Sequence, residues 1–305
     1  MLFIALAAVC VQSAASARLL EVGAHQPLDR PSAAAAIARD GDTIAIEPGE
    51  YHDCSVWSAN QLTILGTADG VVITGELCER KALFVTKGDH ITIRNITFTS
   101  AHGPYGNGAG IRAEGRELTV ENCHFIDNED AILAANRPDA DGVLTIIGST
   151  FTGNGHCRTG CTAHGVYAGH SALLRIIGSK FFATMIGHHV KSRALRTELT
   201  DDDIEDGPDG TSSFLVDVPN GGALVMRSSV LEKGARSSNS TAAVMIGEEG
   251  AIKPTPELRI VGNRFTNDQP QQTIFVRNLT ATPAILTGNM LKGPVQALSG
   301  AGSVR

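Results

Sequence analysis

The chain has 305 residues, a formal net charge of −7, 33 glycines and only 5% aromatic residues. An acid excess of this size argues against general affinity for nucleic acid or an anionic membrane surface, whose binders usually carry net positive charge. Abundant glycine and short apolar runs recurring from Asp40 to Lys292 point to one elongated repeat domain instead of the two domains that length alone suggests.

Residues 1–17, MLFIALAAVCVQSAASA, read as a signal peptide, an apolar stretch closed by the small-x-small pattern Ala15-Ser16-Ala17. The expected location is therefore periplasmic or extracellular. No later run is long and apolar enough to span a membrane. Cys10 would leave with the leader, and five of the six cysteines would remain. Cys54 with Cys78 and Cys157 with Cys161 are the expected pairs, while Cys123 alternates with Phe125 in an apolar strand and reads as a buried free thiol. No CxxC repeat is present, so no zinc-thiolate site is expected.

In the segment 18–39, Pro31 to Arg39 reads as a short helix that caps the repeat domain. GDTIAIEPGEY then opens that domain, expected over 40–292 with a tail, 293–305, after it. One frame recurs there. An alternating apolar strand is followed by a turn of Asn, Gly, Asp or Ser and, three places on, a bulky apolar residue. The closing residues are Phe98, Phe125, Phe151, Phe181, Ile204, Val230, Phe265 and Leu291, between 23 and 35 residues apart. Three short strands fit in each repeat, and a coil this short buries its apolar side only by stacking on its neighbours. The turn residues are those that tolerate left-handed backbone. The fold class expected is all-β: a parallel β-helix solenoid with a short N-terminal capping helix.

Charge is sorted most sharply between His164 and Gly222. No Asp or Glu occurs from Gly142 to Thr197, a span holding Arg158, Arg175, Lys180, Lys191, Arg193 and Arg196 with five histidines. Seven acids lie between Glu198 and Asp209. Strand register brings part of this island together. Ile111, Val166, Val190 and Val216 precede the closing residues Phe125, Phe181, Ile204 and Val230 by 14 or 15 residues and read as equivalent inward positions. Arg112, Tyr167, Lys191 and Asp217 therefore point outward, the last three on successive coils about 4.8 Å apart. The same register places His189 and Arg193 outward, stacks His164 on His188 at the edge of the face, and sets His170 and Asn220 on its flanks.

GDTIAIEPGEY, the strand-Asn-x-x-Phe turns and the strands GIRAEG and GVYAG resemble the right-handed parallel β-helix of the pectate lyase-like superfamily, from about Asp40 to Lys292. The elements HGVYAG, GHHVKSRA and PNGG also look like a group of secreted bacterial β-helix repeat proteins. The superfamily resemblance implies a family of lyases, hydrolases, esterases, epimerases and non-enzymatic spikes, so the fold alone does not choose among them. The polygalacturonase set and the Asp-Pro-His of alginate epimerases are missing, and PGEYHD only half resembles the pectinesterase motif.

The face suits an acidic polysaccharide. Cleavage of a uronic-acid polymer by β-elimination needs a group to hold the carboxylate, a base for the neighbouring proton and an acid for the leaving oxygen. Arg193 suits the first by its two-point geometry, Lys191 or His189 the second, and Tyr167 the third. An acid beside the lysine favours His189 for proton removal. His164, His170, His188, Arg112, Asp217 and Asn220 are the expected substrate contacts. The alternatives are a carbohydrate-binding β-helix without catalysis and a glycoside hydrolase using a carboxylate pair such as Asp203 and Asp217. The sequence identifies no cofactor with certainty. Ca2+ is the cation that the run Asp201–Asp209 could hold, although its spacing matches no EF-hand and a solvated acidic turn is preferred.

Overall fold

The computed structural model describes residues 16–156 and 163–305. The expectations for residues 1–15, including Cys10, and for Cys157, Arg158 and Cys161 lie outside the described residues.

Among the described residues, three parallel sheets build the molecule. The first face has twelve strands, from Leu19–Val22 to Gly302–Val304; the second has ten, from Gly49–His52 to Met290–Lys292; the third has ten, from Ser55–Trp57 to Val295–Gly300. Each coil supplies one strand to each face in turn, which is the all-β parallel β-helix solenoid read from the repeat. The helix Pro31–Ile37 packs on the strands Leu19–Val22 and Ser55–Trp57. Proline at its first position presets the helical φ, and Ala38, in extended backbone, ends it. Strand pairing runs past the 40–292 span on both sides. Leu19–Val22 pairs with Thr43–Ile46, and two paired strands lie within 293–305.

The core is a set of columns along the axis. Phe98, Phe125, Phe151, Phe181, Ile204, Leu231, Phe265 and Leu291 are in register on the second face. Four of the phenyl rings stack in sequence with centroids 5.2, 4.9 and 4.3 Å apart. Leu231, not Val230, fills the column, because two adjacent apolar residues satisfy the repeat frame equally and the strand Val230–Lys233 turns the second one inward.

Before each closing residue the chain makes one left-handed step, at Asn95, Asn122, Gly148, Gly178, Asp201, Ser228, Gly262 and Gly288. Where the next residue is Ser, Asp or Asn, it turns inward and caps a main-chain N–H of the coil before it. Ser149, Ser179, Asp202, Ser229 and Asn263 form a ladder in this way, with spacings of 2.8–3.2 Å. The acidic run is therefore not one solvated turn. Asp202 is a rung of the ladder, with its carboxyl lifted to about 7 by burial despite two N–H donors. Asp206 is buried, Asp203 pairs with Lys180 at 3.3 Å, and Asp209 is exposed. Among the described residues, no group of three or more His, Cys, Asp or Glu is placed to hold a metal ion.

Cys54 and Cys78 form the expected disulfide, with Cα atoms 5.3 Å apart. Cys123 is free and buried, and desolvation pushes its thiol up to about 12. No helix among the described residues is long and apolar enough to cross a membrane.

Candidate functional site

On the third face, Ile111, Ile132, Val166, Val190 and Val216 are in register and buried, as alternation requires. The residues after them form one outward column: Arg112, Leu133, Tyr167, Lys191 and Asp217. The expected neighbours Tyr167, Lys191 and Asp217 thus stand on successive coils. Arg112 shares their column but lies two coils beyond Tyr167, with Leu133 between.

Polar contacts tie this column together. Lys191 Nζ lies 3.1 Å from Asp217 Oδ2. Arg193 Nε donates to the Tyr167 hydroxyl at 2.8 Å, and Arg193 Nη1 donates to Asn220 Oδ1. The guanidinium sits 5.9 Å from the Tyr167 ring centre. Asp217 is almost wholly buried, which lifts its carboxyl to about 6 even with Lys191 beside it. Its Oδ1 has no hydrogen-bond partner. Asp217 is thus a buried acid in which burial outweighs the counter-ion.

The histidines behave differently from one another. His164 and His188 stack across coils as expected, with centroids 4.9 Å apart and planes 11° from parallel, but both are buried behind the face. Main-chain N–H groups of His188 and Phe214 donate to His164 Nδ1 and His188 Nδ1. An Nδ1 that accepts leaves the ring proton on Nε2 in a neutral imidazole. Burial holds His164 down at about 3 and His188 well below the usual histidine range. His188 Nε2 accordingly presents its proton to Asp217 Oδ2 at 3.4 Å. Of the two buried rings, His188 is the one that reaches Asp217.

His189 is not on the face at all. It is fully buried in the turn before its strand, bonded through Nδ1 to Thr184 at 2.8 Å and through Nε2 to Asp206 at 3.0 Å. Strand alternation does not extend into that turn, so the outward expectation fails there. His170 meets the site only indirectly, by donating its main-chain N–H to Asn136 Oδ1 at 2.8 Å. Asp203 and Asp217 are not a carboxylate pair. They occupy strands of the second and third faces.

The basic island does not survive folding as a basic groove. Arg175 pairs with Glu198, Lys180 with Asp203, and Arg196 with Glu198 and Glu257. Lys191 and Arg193 receive their carboxylate from much farther along the chain. Glu249 places Oε1 3.1 Å from Lys191 Nζ and Oε2 2.7 Å from Arg193 Nη2. Burial alone would raise Glu249, but its bonds to Arg193 and Lys191 outweigh that and hold it below the usual carboxylate range. It rides on a strap, residues 247–255, tied to the turn below by Gly247 N–H to Val218 O, Glu249 N–H to Pro219 O and Lys253 N–H to Asn220 O. Lys253 Nζ reaches the carbonyl of Arg193, and burial beside that cation lowers it to about 8. Sequence reasoning missed both Glu249 and Lys253. The one available signal was the long interval before Phe265, which leaves room for an excursion.

An open concavity of about 250 Å³ adjoins the column, lined by Asn107, Arg112, Asp130, Leu133, Asn136 and Tyr167 among others. Asp130 Oδ1 accepts the His164 N–H at 2.8 Å, and burial lifts the carboxyl to about 7.

A family model described as the right handed beta helix region matches residues 29–163. Among solved structures, an alginate lyase from Paenibacillus sp. str. FPU-7 superposes with a TM-score of 0.58 at 15% identity, covering 92% of this chain and 99% of that one. Pectate lyase Pel9A gives 0.55 at 13% identity, covering 95% and 78%. A DFA-IIIase from Arthrobacter chlorophenolicus A6 gives 0.55 at 12%, covering 90% and 87%. No curated protein sequence matches the chain. At these identities the likeness establishes the right-handed parallel β-helix, while the roles of residues rest on the geometry above.

Proposed function

We propose that this protein is an exported β-helix polysaccharide lyase that binds an acidic, uronic-acid-containing glycan on its third face and cleaves it by β-elimination. The observation that carries the reading is Glu249: the chain's own carboxylate lies across Lys191 and Arg193, so that pair already has the spacing and charge to hold a sugar carboxylate. The alginate lyase and pectate lyase among the structural neighbours, and a disulfide compatible with export, support the same reading.

In this mechanism the substrate carboxylate displaces Glu249 and is held by Arg193. Lys191 gives one proton to Asp217, whose Oδ2 lies 3.1 Å from the lysine Nζ. The neutral amine removes the proton beside the sugar carboxylate, and the electron pair forms the new double bond as the glycosidic C–O bond breaks. Tyr167 protonates the departing oxygen. Its hydroxyl oxygen accepts from Arg193, which leaves its own proton available for that oxygen. Exchange with solvent then returns a proton to Tyr167 and removes the extra one from the Lys191–Asp217 pair. His188 holds Asp217 in place, and His189, out of reach, takes no part.

The test is a panel of uronic-acid polysaccharides followed by ultraviolet absorbance of the unsaturated product, with and without chelator. A rising signal that Lys191→Ala abolishes supports the lyase. A second reading, a binding protein without catalysis, is favoured by the full ion pairing of Lys191 in the unliganded protein. Retained glycan binding with no unsaturated product would establish it instead.

A further inference from the structure

We propose that the groove between Arg112 and Tyr167 is a second subsite, taking another carboxylate-bearing sugar unit of the same glycan chain that occupies Lys191 and Arg193. The inference rests on the anionic-glycan reading of the Lys191 site and adds a place and a direction for the rest of the polymer.

The groove is built by an interruption in the outward column. Arg112 and Tyr167 stand two coil spacings apart, roughly 9.5 Å, and in the outward column the coil between them carries the shorter, uncharged Leu133, with Asp130, Ala134, Ala135 and Asn136 of the same coil beside it. Two walls and a low floor leave a slot the thickness of a sugar ring. Leu133 lies in a small apolar cluster against which Tyr167 packs, so floor and wall are held together.

Arg112 supplies the charge. Its Nε is buried without a hydrogen-bond partner. Its nearest acid, Glu114, lies 3.9 Å away and is already engaged by Lys81 at 2.7 Å. Lys191 and Arg193 have Glu249; among the described residues, Arg112 has no carboxylate within hydrogen-bonding distance. The side chain keeps 23% of its surface exposed, and a guanidinium with no carboxylate at hydrogen-bonding distance is free to take a ligand carboxylate through its terminal nitrogens. Asp130, on the floor, is buried, which favours its uncharged form, and its Oδ1 is already taken by the His164 N–H. Asn136 accepts the His170 N–H through its amide oxygen, which leaves its amide NH2 to donate to a sugar hydroxyl.

Tyr167 joins the two subsites. Its hydroxyl contacts Arg193 and its side chain lines the groove. A bound chain therefore runs along the solenoid axis, from the Lys191 coil towards the Arg112 coil.

The experiment is calorimetric titration of the whole protein with oligogalacturonates and oligomannuronates of graded length, on wild type, Arg112→Gln and Arg112→Lys. Wild-type affinity should rise in a step once the oligomer spans both subsites. Arg112→Gln should bind the shortest oligomers as wild type does and lose the step, about tenfold or more in affinity for the longest. Arg112→Lys, which keeps the charge and loses the fork, should recover part of it. An Arg112→Gln protein that keeps the full length dependence overturns the second subsite alone. Failure of wild type to bind any of these oligomers overturns the anionic-glycan reading and the subsite with it.

Discussion

Replacing Glu249 by Gln separates the two tasks of the strap. The substitution keeps the shape of the side chain and removes the charge shared between Lys191 and Arg193. Glu249 is 43% exposed, so solvent screens both pairs. At about 0.2–1 kcal/mol for each such pair, the variant should lose about 1 kcal/mol of stability. A ligand carboxylate no longer has to displace those contacts, and since about 1.4 kcal/mol is a factor of ten, binding of short oligouronates should tighten by about fivefold. The pH dependence carries the sign. The folded-state value of Glu249 is depressed, so its contribution to stability is present above the unfolded carboxylate range and disappears as pH falls through the folded value. At that same point the wild-type advantage in excluding ligand should vanish, leaving the two proteins equal. Titration of both proteins across acidic and neutral pH reads this directly. Unchanged or weaker binding at neutral pH by the variant would refute the view that Glu249 occupies the place of a ligand carboxylate.

Two further outcomes concern the interior. Phe151→Ala removes the middle of the stacked rings and should destabilise by about 3–5 kcal/mol, read by denaturant unfolding, with the far-ultraviolet signal of the folded state retained. Lys233 is fully buried, its Nζ bonded to the Ser213 carbonyl, and burial lowers it to about 8 from the ordinary 10.5. The unfolded chain then binds more protons between those two values, so wild-type stability should climb with pH through that window relative to Lys233→Met. Parallel melting curves of the two proteins from about pH 8 to 10.5 would sink this account of Lys233.

The fold was legible because a coil must place an apolar residue inward at each stacked position, and the Phe column from Phe98 to Phe181 states that rule almost without variation. The outward column was legible for the same reason: once Val166, Val190 and Val216 face inward, Tyr167, Lys191 and Asp217 have no other side to occupy. Legibility stopped where alternation stops. His189 sits one residue before its strand, in a turn that folds it inward against Asp206. Val230 and Leu231 are neighbours of similar character, and only pairing with Phe265 decides between them. The basic island misled in a different way. Charge segregated along the chain is recombined across coils, and Glu249 reaches Lys191 from 58 residues downstream.

The coil between Leu231 and Phe265 is the longest of those set by that column, and its surplus residues emerge as the strap over Lys191 and Arg193. The coils on either side keep their register, because each is held by its own pairing with the next and not by the length of the excursion. Specificity in such a molecule is editable by insertion. A chain of this kind can lengthen, shorten or recharge the one segment that overhangs Lys191 and Arg193 while the stack beneath it remains the same scaffold, so the charge of that face can change without any change of the interior.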